Sequence, residues 1–273
     1  MEAVRAALLS FAAEVYMSVR VYKNNPSMLF TSLTWPYLMV FVILVLGSSY
    51  GSLDEFSRSL GVTNPIFFLF AASGIAFTAV SIVDYGASFA AWYRWLGVLP
   101  YIVAGTPSLP AYLAASGLAR SLLNVALTYV SITPAVILLG GLESGVRMII
   151  VIGVLISGMI PLVGLAVVAA MLTVMVKVES DVLSFINPLL LLLSGVFYPI
   201  ALLPDILEVV AALVPISYIV EASKIAAAFE AAWGGRLYSI MYILGLMAVA
   251  YNLVGLISSL RLERSIYLRG SAA

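Results

Sequence analysis

Residues 147–176 read RMIIVIGVLISGMIPLVGLAVVAAMLTVMV, and after Arg147 no charged side chain appears until Lys177. About 20 consecutive apolar residues cross the hydrocarbon core of a bilayer as a helix. This run exceeds that length and holds Pro161, so it predicts a long membrane span broken at the proline. A helix apolar on every face needs lipid or other helices around it. The whole chain has the same character: 63% of its 273 residues are hydrophobic, only 10% are charged, and mean hydropathy is +1.14. Soluble domains carry roughly 25% charged residues, so a soluble fold is excluded.

Working outward, the loop GGLESG (140–145) joins this run to a span over 110–134. On the other side a charged turn, Lys177 to Asp181, leads to a span over 183–199. Further spans are predicted at 27–47, with Pro36 marking a kink, at 65–83, and at 237–259. Asn25-Pro26 and Asn64-Pro65 read as helix starts, with Asn as cap and Pro in the first turn. Residues 2–23 are too mixed to span. Val4, Leu8, Phe11, Val15, Val19 and Tyr22 share one quadrant of a helix, and Arg5, Glu14, Arg20 and Lys23 lie off that stripe. Two readings stand: an amphipathic helix along the membrane surface, or a helix packed on another element outside the bilayer. The expectation is an all-α integral membrane protein with six transmembrane helices in one domain, 1–273.

Orientation follows from the basic residues. With both termini on one side, that side carries Arg5, Arg20, Lys23, Arg94, Lys177, Arg261, Arg264 and Arg269. The other side has Arg58, Arg147, Lys224 and Arg236. Eight against four places both termini in the cytoplasm of a plasma-membrane protein. The opening MEAVRAALLS lacks a basic region ahead of a cleavable apolar core, so no signal peptide is expected.

Composition excludes several chemistries. Lys plus Arg equals Asp plus Glu at 13 each, so nothing draws the chain to nucleic acid. Cysteine and histidine are absent; thiolate chemistry, histidine zinc sites and a serine protease with a histidine base are therefore excluded. Glutamine is absent too, which suits a heat-adapted source. Gly-Lys occurs nowhere, so the chain holds no phosphate loop and any ATP would be hydrolysed by another polypeptide. Acidic residues gather in loops and at span ends, which argues against ion-coupled transport through mid-span carboxylates.

Three stretches stand out. Arg120 is the one charge inside an apolar run, with Asn124 a turn later on the same face. It reads equally as part of a polar path or subunit seam, or as a structural Arg bonded to a neighbouring helix. Residues 84–108 are long for a connector and carry Trp92, Tyr93, Trp95 and Tyr101. They read either as an aromatic belt at the headgroups or as a docking knob, in which Leu96 to Val103 forms a short helix closed by Gly105 and Pro107. After Ser194 to Pro199, Pro204-Asp205 opens a short helix with Asp205 as cap and Glu208 completing a capping box. It runs to about Leu213, ends at Pro215, and is followed by an amphipathic piece from Tyr218 to Trp233. These pieces are too short to span and too apolar for water, which predicts re-entrant or surface-lying outer helices.

LLSGVFYPIALLPDILEVVAALVPISYIVEASK (192–224) resembles the signature of permease subunits of type-2 ATP-binding-cassette exporters. There a span ends in Ser-Gly-aromatic-aromatic-Pro, and Leu-Pro, a short outer helix and a Pro-aromatic element follow. LPYIVAGTPSLPAYLAASGLARSLLNVAL (99–127) is similar to that family's coupling loop, with Arg120 and Asn124 where an Arg and an amide recur, and KNNPSMLFTSLTWP (23–36) is similar to the approach to its first span. The chain departs from the family at Trp92-Tyr93-Arg94-Trp95, where acidic residues are usual.

The resemblance implies a permease that binds no cofactor itself and is not an enzyme. It implies assembly with a second permease copy, as a homodimer or heterodimer, and with two ATPase subunits that bind ATP and Mg. Leu96, Leu99, Tyr101, Val103, Thr106 and Pro107 would form the ATPase-coupling loop. Arg120, Asn124, Tyr129, Phe197 and Tyr198 would face the translocation path or dimer seam, and Pro204, Asp205, Glu208 and Pro215 the outer gate. Transport would proceed by alternating access, and the apolar seam suits a hydrophobic or amphipathic substrate, a drug or lipid. The competing readings are a secondary carrier or channel-like protein with no ATPase partner, and a membrane scaffold.

Overall fold

A computed structural model describes residues 2–47, 61–97, 99–105, 108–176, 186–228 and 233–269, together with Glu55 and Arg58. The fold is all-helical among these residues: α1 (Glu2–Asn24), α2 (Pro26–Gly47), α3 (Pro65–Trp95), α4 (Leu99–Gly105), α5 (Leu109–Val176), α6 (Ile186–Leu193), a 3-10 turn (Ile200–Leu202), α7 (Asp205–Ala212), α8 (Pro215–Ala228) and α9 (Trp233–Arg269). Three of these helices are long and apolar enough to cross a membrane, and the bent pair α7–α8 passes the same test when taken together. The chain is therefore a multi-pass membrane protein.

The organising helix is α3. Most of its Pro65–Tyr85 stretch is buried, whereas most of Gly234–Arg261 of α9 is not. Small residues explain this: Ala71, Ala72, Ser73, Ala76 and Ala79 let neighbours approach from every side, the packing that replaces hydrophobic driving force in lipid. Gly74 receives the Tyr129 ring, since a Cβ there would meet the ring 3.2 Å away. Around α3 stand α5, α2, α8 and α6. The Asn64 side chain accepts from the Phe67 N–H at 3.0 Å, the capping expected. Asn25 differs: its side-chain amide donates back to the Val21 carbonyl, so it closes α1, and only its backbone carbonyl serves α2.

In α5 the expected break at Pro161 is absent. Helical backbone continues through Pro134 and Pro161 and departs only at Gly141 (φ 79°, ψ 174°), so the loop between the two apolar runs shrinks to one residue. Its second arm crosses α9 closely at Gly164, where a Cβ would lie 2.8 Å from Tyr251 and Asn252 backbone atoms. The Asn252 amide donates to the Ile160 carbonyl at 3.1 Å, beside the proline.

At the other turn, α6 stops at Leu193. Gly195 takes a positive φ of 72° beneath Ile200, and the Ser194 hydroxyl bonds to the Leu191 carbonyl. Then α7 and α8 meet at 87°. Side-chain hydroxyls bond to the carbonyls at the break: Ser217 donates to Ala211 and Val214, which also accept from the Val214 and Ser217 N–H groups, Tyr218 donates to Ala212, and Tyr251 of α9 to Leu213. Such satisfaction is what buried backbone outside regular helix requires. The far end of α8 is closed by the Thr63 hydroxyl on the Ala227 and Ala228 carbonyls and by Arg147 on Ala226, a cation at the negative end of the helix dipole.

Candidate functional site

The expected coupling segment is a different shape from the one read in the sequence. Helix α3 runs on through 84–95 to Trp95, Gly97 turns the chain at φ 68°, and the short helix begins at Leu99. Leu96 thus lies in the turn. Trp95 and Tyr101 are 76% and 78% exposed, and Leu96 is exposed beside them. Ile102 faces inward instead, against a small cluster of Leu109, Leu113, Val167, Ala170 and Met171 that includes Tyr85 and Tyr112. Sequence reading missed Ile102; its position one residue from Tyr101 puts it on a different face of the helix. Thr106, Pro107 and the side chains of Leu99 and Val103 lie outside the described residues, as do the side chains of Trp92 and Tyr93.

Arg120 sits one step further in. Its guanidinium approaches the Glu14 carboxylate of α1 at 3.6 Å and lies over the Tyr85 ring at 4.6 Å. Glu14 is buried at 8% exposure. A helical turn along, the Tyr22 hydroxyl donates to the Asn124 carbonyl oxygen at 3.2 Å, and the Asn124 amide donates to Ser81 of α3 at 3.0 Å. Polar groups from α1, α3 and α5 therefore meet in one column. Asp84 extends it, accepting from Asn187 of α6 at 2.8 Å. The amphipathic stripe predicted for α1 is accordingly rotated. Glu14 and Ser18 are buried with Phe11, Val15 and Tyr22 half-buried beside them, while Leu8 and Val19 face outward. Burying a carboxylate demands a partner, and Arg120 supplies it. The signal in the sequence was a pair of isolated charges with no local counterion, 106 positions apart.

The five residues grouped as path or seam do not converge in this arrangement. Tyr129 is enclosed between α3 and α5 with its hydroxyl unpartnered. Phe197 packs on the main core, and the Tyr198 hydroxyl bonds to the Leu192 carbonyl within its own turn. A small apolar void lies between the arms of α5, lined by Tyr85, Leu113, Gly117 and Val163 among others.

At α7, Pro204 rather than Asp205 is the N-cap, with no side-chain cap bond, so the predicted capping box does not form. Asp205 and Glu208 instead occupy the first turn of α7, where the helix dipole favours carboxylates. Pro215 opens α8 at its first position, as proline favours. Ile206 and Val209 of α7 and Leu213, which caps it, are exposed. On α8, Glu221 faces both Lys224 and Arg236 at 3.5 Å. Among the described residues no group of three or more acidic, His or Cys side chains is placed to hold a metal.

Comparison with curated proteins gave no match. The family model described as ABC-2 type transporter matches residues 15–229, from mid-α1 to the end of α8. That stretch contains the polar column, the short exposed helix and the bent pair α7–α8. The chain belongs to the ABC-2 type transporter family and is the membrane component of an ABC transporter, which works with an ATP-binding subunit.

Proposed function

We propose that this protein is the permease of an ATP-driven exporter that moves a hydrophobic or amphipathic compound across the plasma membrane by alternating access. It spans the membrane six times with both termini in the cytoplasm: α2, α3, the two arms of α5 on either side of Gly141, the segment containing α6, and α9. The pair α7–α8 re-enters from the outside. Two copies and two ATPase subunits form the working unit.

The observation that carries this reading is α4: a seven-residue helix with Tyr101 turned outward and Ile102 held by side chains from both ends of α5. An exposed aromatic on an anchored knob suits docking on a cytoplasmic partner, and force applied there reaches α3 and both α5 arms through one cluster. ATP drives the cycle only by favouring one arrangement of the spans over the other. A drug or lipid is the substrate class the apolar surroundings favour. The test is a mild-detergent pull-down of the tagged chain with identification of what accompanies it. Two copies of the chain with two ATPase subunits support the proposed working unit; any other stoichiometry refutes it.

A further inference from the structure

We propose that the outward face of α1 is a docking surface for anionic lipid headgroups of the cytoplasmic leaflet. The charges of α1 are Glu2, Arg5, Glu14, Arg20 and Lys23. Glu14 is withdrawn from the surface by burial against Arg120. Arg5, Arg20 and Lys23 are exposed, and among the described residues none of them meets a carboxylate. At 3.6 residues per turn, Arg5, Leu9, Tyr16, Arg20 and Lys23 fall within about 60° of helix surface. That sector lies opposite the face formed by Glu14, Ser18 and Tyr22. The Arg20 guanidinium rests 5.8 Å from the Tyr16 ring centre, an arrangement that holds the cation at the surface over an apolar base.

Leu8 and Val19 on one flank and Met17 on the other are all more than half exposed. On this face the cations Arg5, Arg20 and Lys23 therefore flank the exposed Leu9 and Tyr16, with Leu8, Val19 and Met17 further out, and this interleaving of basic and apolar side chains matches a headgroup layer over acyl chains and not a purely aqueous boundary. A single residue, Asn25, separates α1 from α2, so the basic end at Arg20 and Lys23 sits where the chain leaves the span. Charge complementarity then selects anionic over zwitterionic lipid.

This rests on the cytoplasmic placement proposed above, which a single cysteine at Ala13 in the cysteine-free chain tests separately by side-specific labelling. The experiment on the proposal itself uses the full chain in neutral detergent, titrated with phosphatidylglycerol or phosphatidylcholine of matched acyl chains, with the melting midpoint as readout. It involves no ATPase, so its outcome is independent of the pull-down. Each basic residue near an anionic surface is worth about fivefold in affinity, so phosphatidylglycerol should act at roughly a hundredfold lower concentration. The advantage should fade with added salt. Arg5→Gln/Arg20→Gln/Lys23→Gln should melt like the parent without lipid and lose the discrimination. Should the triple variant not fold, Arg20→Gln and Lys23→Gln singly should each lose about fivefold. Equal responses to the two lipids overturn the proposal. So does full discrimination in the variants, or variants that lose a protein partner while keeping the lipid response.

Discussion

Gly153 and Gly164 lie on the same arm of α5, and replacing each by alanine should act in opposite directions. At Gly153 nothing stands within 4 Å of the new Cβ, so the methyl only restricts the unfolded chain and favours the helix, by about 0.5–1 kcal/mol. At Gly164 the Cβ would sit 2.8 Å from the Asn252 nitrogen and the Tyr251 carbonyl carbon. Carbon contacts are optimal near 3.5–4.0 Å. The obstacle is backbone, which no rotamer change relieves, so α9 must retreat by about 1 Å. Overpacking of this kind costs about 1–3 kcal/mol, and the retreat stretches the Asn252 bond to Ile160, worth about 1 kcal/mol more. A total of about 2–4 kcal/mol corresponds to a midpoint lower by about 4–10 °C in a chain of this size. Thermal unfolding of the two variants in one detergent gives the comparison. If Gly164→Ala melts within a degree of the parent, the close crossing of α5 and α9 is not a tight contact, and the account of it here is wrong.

Glu14→Gln should destabilise the protein by about 2–3 kcal/mol, less than for a fully buried pair because Arg120 is partly exposed; with Arg120→Gln added, the cost should fall short of the sum of the two single changes, as denaturation midpoints would reveal. Tyr101→Asp should leave expression and melting unchanged yet abolish substrate stimulation of the ATPase in the reconstituted complex, whereas Ile102→Asp should lower the melting point itself. Cysteines at Ile206 and Val209 should resist water-soluble thiol reagents in intact membranes, because lipid or a second copy covers these apolar positions; complete labelling would show that α7 faces water.

The membrane character of the chain was legible because it depends on composition and run length, properties of one segment at a time. Asn64 was readable for a similar reason: its cap bond to Phe67 closes within three residues. Asn25 carries the same dipeptide, but α1 ends one residue earlier, and its amide takes the nearer carbonyl of Val21. Glu14 was misplaced because a helical wheel sorts residues by polarity, and its burial depends on Arg120 in a distant helix. Tyr85 and Ile102 drew no notice for the same reason: their roles arise where α3, α4 and α5 meet. Pro161 was read as a break from its ring alone, yet the packing of α9 across Gly164 holds the helix through it.

The enclosure of α3 bears on how the protein is made. Ribosomes deliver the chain from its N-terminus, so α3 enters the bilayer before α5, α6 and α8 exist to surround it. For that interval its polar side chains face lipid. The Ser73 and Ser81 hydroxyls bond to carbonyls three residues back in their own helix, so neither needs the later helices to be satisfied. Asp84 does, since its partner Asn187 is synthesised about a hundred residues afterwards. The side chain that waits lies at the end of the apolar run, where headgroup water can hold it until α6 arrives.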